Sequence, residues 1–463
     1  MTIWIDVEDL FHYSRLGARP SGIQRLSFEL YKALRAIPSQ DIRFVRHDQL
    51  GQSFRTTSWD DVCLLYERMA YAPSSRSSAP PGSVPKAPKK GTIRKLAQRL
   101  PREFREPLGQ AIGAQAASLR ALWRSIKATP SLFTPLMGNG TNDQQKSEIG
   151  EPLAHVAKPG DFLCVFGSPW FHDDYGALVE RTKRELGLRF SLLIYDLIPI
   201  VRPEFVVPNL SEHFSKWYSD CMLFTDRIFV ISNATARDVE AWRERAGLPL
   251  TCPVLKIPIG TGFTADGMEA DADPQISNLP HGLIPGGYVL FVSTIEVRKN
   301  HALVFRAWRR LLEELSVDEV PKLVFAGRVG WLVGDLMQQI ENSRYLDGAI
   351  VVIEGATDSE LAALYRGCRF TVFPSYYEGW GLPVTESLSF GKTCIASSEA
   401  SVPEAGGEFC LYIDPDNVTE ATNLLRRVIQ EPGIIENLEK KIGTNFRPVH
   451  WSEAANVVIK GLE

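Results

Sequence analysis

A chain of 463 residues is too long for one ordinary domain, and with 44% of its residues hydrophobic it can fill two substantial cores. A net charge of −4 argues against a general nucleic-acid binder, although the average hides one strongly basic segment. The seven cysteines form no C-x-x-C pair, lack histidine partners at metal-ligand spacing and are odd in number, which fits reduced thiols in a cytosolic compartment. The N-terminus MTIWIDVEDLF carries acids where a signal peptide needs a basic start, and no run approaches the roughly 18 apolar residues of a membrane span.

In chain order, TIWID reads as a first strand ending at Asp6, followed by a glycine-bearing loop, FHYSRLGARPSGIQR, and the helix SFELYKALRAI. Gly22 lets backbone approach a ligand closely or simply makes a tight turn. Further strands are expected at IRFVR and DVCLLYE. From about 72 to 152 the pattern breaks. YAPSSRSSAPPGSVPKAPKK is a Pro/Ser linker, and after it Arg94, Lys95, Arg99, Arg102, Arg105, Arg120, Arg124 and Lys127 face only Glu103 and Glu106. Leu119, Leu122, Trp123 and Ile126 fall at i, i+3, i+4 and i+7, so a basic amphipathic helix is expected. Peripheral membrane contact through about 92–128 and packing on the N-terminal domain are both open readings.

Regular alternation returns at the strand DFLCVFGS and at RFSLLIYDLIPI, which ends in Tyr195 and Asp196. Asp196 is a candidate for a sugar- or acceptor-facing carboxylate, or for a helix cap. An aromatic-rich helix (NLSEHFSKWYSDCMLF), the strand RIFVIS and a helix capped near Ser232 or Asn233 complete a first domain over 1–270, and 271–286 reads as a hinge that allows closure. A second domain, 287–445, opens with YVLFVSTIEVRKN and an amphipathic helix. Lys299 lies just past the strand, where a compact charge can meet a diphosphate, while Arg298 adds to that field or points to water. Arg328 follows the strand KLVFAG, and Thr357 or Asp358 caps the next helix. Residues 446–463 contain a final helix.

The densest signal is FPSYYEGWGLPVTESLSFGKTCIASSEASVPE, Phe373 to Glu404. The run FTVF before it reads as a buried parallel strand, Gly379, Gly381 and Pro383 prevent one continuous helix, and Pro383 suits a helix's first turn. Glu378 therefore lies on a loop and Glu386 inside a helix, both at the carboxyl end of a strand, where open α/β sheets bind ligands. Free N–H groups at that helix start attract an anion.

This stretch resembles glycosyltransferase family 4 through its E-x(7)-E pattern, Glu378 to Glu386, and the S-x-P-E of Ser401 to Glu404. The resemblance covers the C-terminal half strongly and the N-terminal half loosely. It implies an α/β, GT-B architecture of two Rossmann-like domains with a cleft between them, a retaining transfer of a hexose from a nucleotide-sugar, and a final helix crossing back to the first domain. It further implies that Gly22, with Arg25 nearby, borders the donor phosphates, that Lys299 is the diphosphate lysine, and that Thr294 stands where an arginine is often found. Arg328 is the expected substitute. Tyr195 replaces a histidine beside Asp196, so that histidine's role does not carry over. The implied catalytic set is Glu378, Lys299 and Asp196. The donor-binding set is Lys299, Arg328, Glu378, Gly379, Gly381, Leu382, Glu386, Thr294 and Gly22, with Glu378 on the transferred sugar and Glu386 on the ribose.

Relatives with a TIE-x-RKN segment often use GDP-mannose, which makes a mannosyltransferase of surface polysaccharide or O-antigen assembly the expected setting, with a glycan or lipid-linked saccharide as acceptor. Fixed cations stabilise the departing diphosphate, so no metal or other cofactor is expected; Asp271-Ala-Asp273 lies in the presumed hinge and Asp414-Pro-Asp416 well past the glutamates. A cytoplasmic location, peripheral to the inner face of the membrane if the basic helix binds lipid, and no nucleic-acid partner complete the expectation. A GT-B-like nucleotide-sugar epimerase and a catalytically silent membrane-associated scaffold are the competing readings.

Overall fold

Short apolar runs that end in Gly, Asp or Pro become strands here, and amphipathic stretches between them become the covering helices. The computed structural model describes residues 1–16, 20–48, 50–70, 150–248, 252–261 and 279–463. The basic segment expected at 92–128, and residues 271–278 of the expected hinge, lie outside the described residues. Among the described residues no helix is long and apolar enough to cross a membrane.

The N-terminal lobe holds β1 (Thr2–Asp6), β2 (Asp41–His47), β3 (Phe54–Thr57), β4 (Phe162–Val165), β5 (Arg189–Ile194), β6 (Arg227–Val230) and β7 (Val254–Lys256). They form a seven-stranded sheet in the order β3-β2-β1-β4-β5-β6-β7, parallel except for the antiparallel β2–β3 pair. Its main described helices are α1 (Glu8–Arg15), α2 (Gly22–Arg35), α3 (Trp59–Ala70), α4 (Tyr175–Leu186), α5 (Pro208–Met222) and α6 (Asn233–Arg245).

Three sequence expectations change in this lobe. The segment DVCLLYE is not a strand but the middle of α3: Val62 and Met69 are buried at helical spacing, and Tyr66 stacks on Phe28 of α2 with ring centroids 3.7 Å apart. The region read as one loop after β1 contains α1, whose first turn is acidic. Gly22 is likewise not a loop residue but the first residue of α2, where the Ser21 N–H donates to the Gln24 side chain at 3.2 Å and starts the helix earlier than expected.

The C-terminal lobe holds β8 (Tyr288–Val292), β9 (Lys322–Ala326), β10 (Ile350–Ile353), β11 (Thr371–Phe373), β12 (Cys394–Ser397) and β13 (Leu411–Ile413). These pair in parallel in the order β10-β9-β8-β11-β12-β13. The main helices are α7 (His301–Glu314), α8 (Gly334–Asn342), α9 (Asp358–Gly367), α10 (Leu382–Ser389), α11 (Val418–Gln430) and α12 (Gly433–Asn445). The final helix, α13 (Trp451–Leu462), leaves this lobe and packs on α2, burying Ala454, Ala455, Val458 and Leu462 in the N-terminal core. Burial on both sheet faces explains why the central strands read as continuous apolar runs rather than alternating ones.

In each sheet the strand order reverses at a central strand, β1 in the first and β8 in the second, and the carboxyl ends of both central regions face one cleft. Arg25 Nη2 meets Asp358 at 2.9 Å and the Trp331 indole donates to the Phe205 carbonyl at 2.9 Å, so the lobes touch on both sides. The Tyr377 hydroxyl also reaches Asp238 of α6 at 2.8 Å.

Candidate functional site

The loop after β8 is fixed before any ligand is considered. Asn300 adopts a left-handed conformation (φ 63°), which ends the turn Val297–Lys299 and starts α7. Its side-chain amide donates to the carbonyls of Pro374 at 3.2 Å and Pro415 at 2.8 Å, tying three strand exits together. The Tyr376 N–H donates to the Arg298 carbonyl at 2.9 Å, and the Ser401 hydroxyl to the Glu378 carbonyl at 2.7 Å. These bonds hold the β8 and β11 exits side by side.

Glu378, only 7% exposed, is gripped from both oxygens: Oε1 lies 2.5 Å from Lys299 Nζ and Oε2 lies 2.6 Å from Arg298 Nη1. Arg298 also donates to Glu296 at 2.7 Å and to the Tyr377 carbonyl at 2.7 Å. Burial alone would raise the Glu378 pKa, but Arg298 and then Lys299 hold it down at about 2. For Lys299 burial, then the neighbouring Arg298 charge, push the pKa down, against the pull of Glu378. Asp196, at the exit of β5 across the cleft, feels the same charges: burial raises its pKa and Arg298 opposes the rise. The structure thus brings Lys299, Glu378 and Asp196 together, with Arg298 among them rather than pointing to water.

Glu386 stands apart from that group. It accepts the Tyr365 hydroxyl at 2.7 Å, and burial raises its pKa while Tyr365 and the more distant Arg25 lower it. The two glutamates of the motif therefore meet the cleft in different electrical states. Between them the glycines are dictated by contact. A Cβ on Gly379 would stand 2.2 Å from the Tyr195 carbonyl oxygen, and Gly381 has a φ of 114° before α10. Leu382 opens α10 and lies 3.6 Å from where a Gly22 Cβ would be, so Gly22 and Leu382 face each other across the lobes.

Thr294 and Arg328 run beside one another, with the Ile295 N–H donating to the Arg328 carbonyl at 2.9 Å. The Arg328 side chain is exposed and its charge is felt by Tyr13 of the N-terminal lobe. Among the described residues no ion pair joins Arg328 to the Lys299–Glu378 group. Tyr195 turns its hydroxyl into the lobe, onto the Phe166 carbonyl at 2.6 Å, and not toward the cleft. Asp414 accepts the Asp416 N–H at 2.9 Å, which makes that D-x-D a turn.

Two features escaped the sequence reading. Glu404 crosses the cleft and accepts the first N–H groups of α6, from Asn233 and Ala234, at 2.8 Å each. Asp9 accepts the Ser168 N–H at 3.1 Å through one oxygen, leaves Oδ1 without a partner among the described residues, and is raised by burial to about 6. The acidic first turn of α1 was the visible signal for Asp9; nothing local announced the reach of Glu404.

Comparison with known proteins places these lobes. Residues 285–447 match the model of the glycosyl transferases, group 1. The C-terminal lobe is a group 1 glycosyl transferase domain. Over 286 residues the chain is 24% identical to an Escherichia coli protein named serotype-specific mannosyltransferase WbdA, covering 61% of this chain and 34% of that one. It is 32% identical over 145 residues to the O-antigen chain mannosyltransferase B of E. coli, covering 31% of this chain and 37% of the relative. The match thus spans about a third of the length of these curated relatives. Among solved structures, sucrose-phosphate synthase from Thermosynechococcus elongatus aligns over 99% of this chain and 98% of its own, with a TM-score of 0.53 at 15% identity. The two lobes are those of the GT-B fold, and the group 1 domain contributes Lys299, Glu378 and Glu386 to the cleft.

Proposed function

We propose that the chain is a retaining hexosyltransferase that moves a sugar, mannose from GDP-mannose in the first instance, from a nucleotide-sugar to a glycan or lipid-linked saccharide in surface polysaccharide or O-antigen assembly. The observation that carries this reading is the buried Lys299–Glu378–Arg298 group at the exit of β8, inside the group 1 domain. Mannosyltransferase is the word shared by the names of several relatives, which favours mannose.

The charges of Arg298, Lys299, Glu378 and Glu296 cancel, so attraction of the donor does not come from an excess of positive charge. It comes from exchange of partners. A donor diphosphate takes Lys299 from Glu378, Arg298 keeps Glu378 ionised, and the freed carboxylate oxygen accepts hydroxyls of the transferred sugar. Glu386, held by Tyr365, accepts the ribose hydroxyls, and the start of α10 faces the phosphates.

In the reaction the bond from the anomeric carbon to the diphosphate oxygen breaks and a bond to the acceptor hydroxyl oxygen forms on the same face. The acceptor proton passes to a phosphate oxygen, and Lys299 offsets the charge that gathers on the leaving group. Asp196 faces the sugar or acceptor from the other lobe. No metal is required on this account, and membrane contact through 92–128 would bring the enzyme to a lipid-linked acceptor.

A thermal-shift series with GDP-, UDP-, dTDP- and ADP-sugars in excess EDTA tests the reading. A ligand at 100 times its dissociation constant stabilises the fold by about 2.7 kcal/mol. Stabilisation by GDP-mannose, and an α-linked product by NMR once an acceptor is supplied, is the expected result. Failure of every nucleotide-sugar to stabilise the protein would overturn it.

A further inference from the structure

The C-terminal sheet ends at β10, and along that edge runs a groove of about 700 Å³. Met337 and Glu341 of α8 line it from one face of the sheet, and His281, between Leu279 and Leu283 of the opposite packing layer, lines it from the other. Pairing with β9 fixes which backbone groups of β10 look outward. The Leu323 N–H donates to the Ala349 carbonyl at 2.8 Å and the Gly327 N–H to the Ile353 carbonyl at 2.9 Å, so the alternate residues Ile350, Val352 and Glu354 turn their N–H and C=O away from the sheet. Among the described residues no strand pairs with that side of β10. Sheet edges are normally guarded by Pro, Lys, a bulge or a covering segment. The first sheet has such a guard at β3, where the Thr56 N–H donates to the Glu151 carbonyl at 2.9 Å and Pro152 bridges to Arg55. The run AIVVIE, 349–354, carries neither Pro nor Lys, and Val329 and Tyr345 beside it are 40% and 37% exposed.

We propose that β10 is the pairing surface for a second copy of this chain, which joins the two six-stranded sheets edge to edge in one antiparallel ladder. A two-fold axis makes the same patch meet itself, so the paired strands must run antiparallel. Centred on Val352, that pairing sets Ile350 of one copy opposite Glu354 of the other and exchanges roughly six backbone hydrogen bonds. The charges favour a copy of the chain over another peptide. The groove holds two acids, Glu341 and Glu354, and two basic groups, Arg344 and His281, so it matches itself and would leave half the charges of an acidic or a basic partner unmatched. Arg344 stands before the start of β10 and Glu354 at its exit, so inversion of the strand brings Arg344 of one copy beside Glu354 of the other. Arg344 can change partners for this, because its ion pair with Asp347 at 2.6 Å joins side chains that are 82% and 76% exposed, and such a pair holds weakly. The inference is independent of the transfer reading: β10 lies two strands from β8, whose exit carries Lys299, and the ladder leaves the Lys299–Glu378 group untouched.

Size-exclusion chromatography with light scattering on the full chain, from low to high micromolar concentration, tests it on wild type, Val352→Pro, Arg344→Glu and the double variant Arg344→Glu, Glu354→Arg. Val352→Pro removes an N–H that faces outward and spares the ladder with β9, whereas Arg344→Glu sets two acids side by side across the interface. The expected result is a wild-type dimer, monomers throughout the range in both single variants, and recovery of the dimer in the double variant, where the charges have changed places. Arg344 and Glu354 are exposed, so their variants keep the wild type's cooperative thermal melt even if Val352→Pro does not. A wild type that stays monomeric at high micromolar concentration would overturn the proposal. So would a dimer that persists in Arg344→Glu and Val352→Pro, which would put the contact elsewhere, or a double variant that stays monomeric, which would exclude the antiparallel pairing.

Discussion

On the C-terminal wall of the cleft the buried groups are charged and paired: Glu378 with Lys299 and Arg298, and Arg298 again with Glu296. On the N-terminal wall the buried surface is aliphatic and aromatic, and its carboxylate, Asp196, is pushed toward its neutral form by burial, as is Asp9 in the same lobe. The contrast teaches that the same burial leaves a carboxylate ionised where two cations grip it, as at Glu378, and pushes it toward its neutral form where its neighbours are mainly apolar, as at Asp196.

The largest effect expected from disturbing that contrast is on the charged wall. Replacing Arg298 with alanine leaves Glu378 and Glu296 short of a buried partner, and chemical denaturation should show a loss of about 3–5 kcal/mol. A loss below about 1 kcal/mol would mean that the pairing of the charges matters little.

Titration separates the lobes by sign. Glu378 is held at about 2, below its ordinary value, so its contribution is present above about pH 4.5 and is lost as pH falls toward 2. Asp9 is raised to about 6, so its burial penalty is relieved as pH falls through 6 and the fold gains stability down to about pH 4. In Asp9→Asn the rise in melting temperature between pH 7 and 4.5 should flatten by the equivalent of about 2–3 kcal/mol. An unchanged profile would show that Asp9 keeps an ordinary pKa.

Much of the charged wall was legible, and little of the apolar one. Lys299 and the two glutamates follow directly from strand exits and helix starts, because Pro383 and the flanking glycines permit only one local geometry. Arg298 was ambiguous because its burial depends on Glu378 and Tyr377, 79 to 80 positions away. The α3 segment was misread since LLY is as apolar as a strand and only its packing on Phe28 selects the helical period. The apolar side of the cleft brings together residues from the exits of β4, β5 and β9 and from α5, a coincidence that no local pattern encodes.

Smaller changes probe how the walls are joined. Glu404→Ala removes the acceptor for two N–H groups of α6 and should cost about 1–2 kcal/mol, with faster hydrogen exchange at Asn233 and Ala234. Protection left intact would show that α6 does not depend on the other lobe. Tyr365→Phe takes one hydrogen bond from Glu386 and should cost about 1 kcal/mol, with a modest loss of nucleotide affinity. Unchanged nucleotide affinity would show that Glu386 does not meet the nucleotide.

The partner exchange at Lys299 is tested most directly by isothermal titration of GDP and UDP against wild type, Lys299→Ala and Glu378→Gln. The account predicts that Lys299→Ala weakens diphosphate binding at least tenfold, while Glu378→Gln, which frees the lysine, binds as well as wild type or better. Equal affinity of wild type and Lys299→Ala for every diphosphate that binds would contradict it.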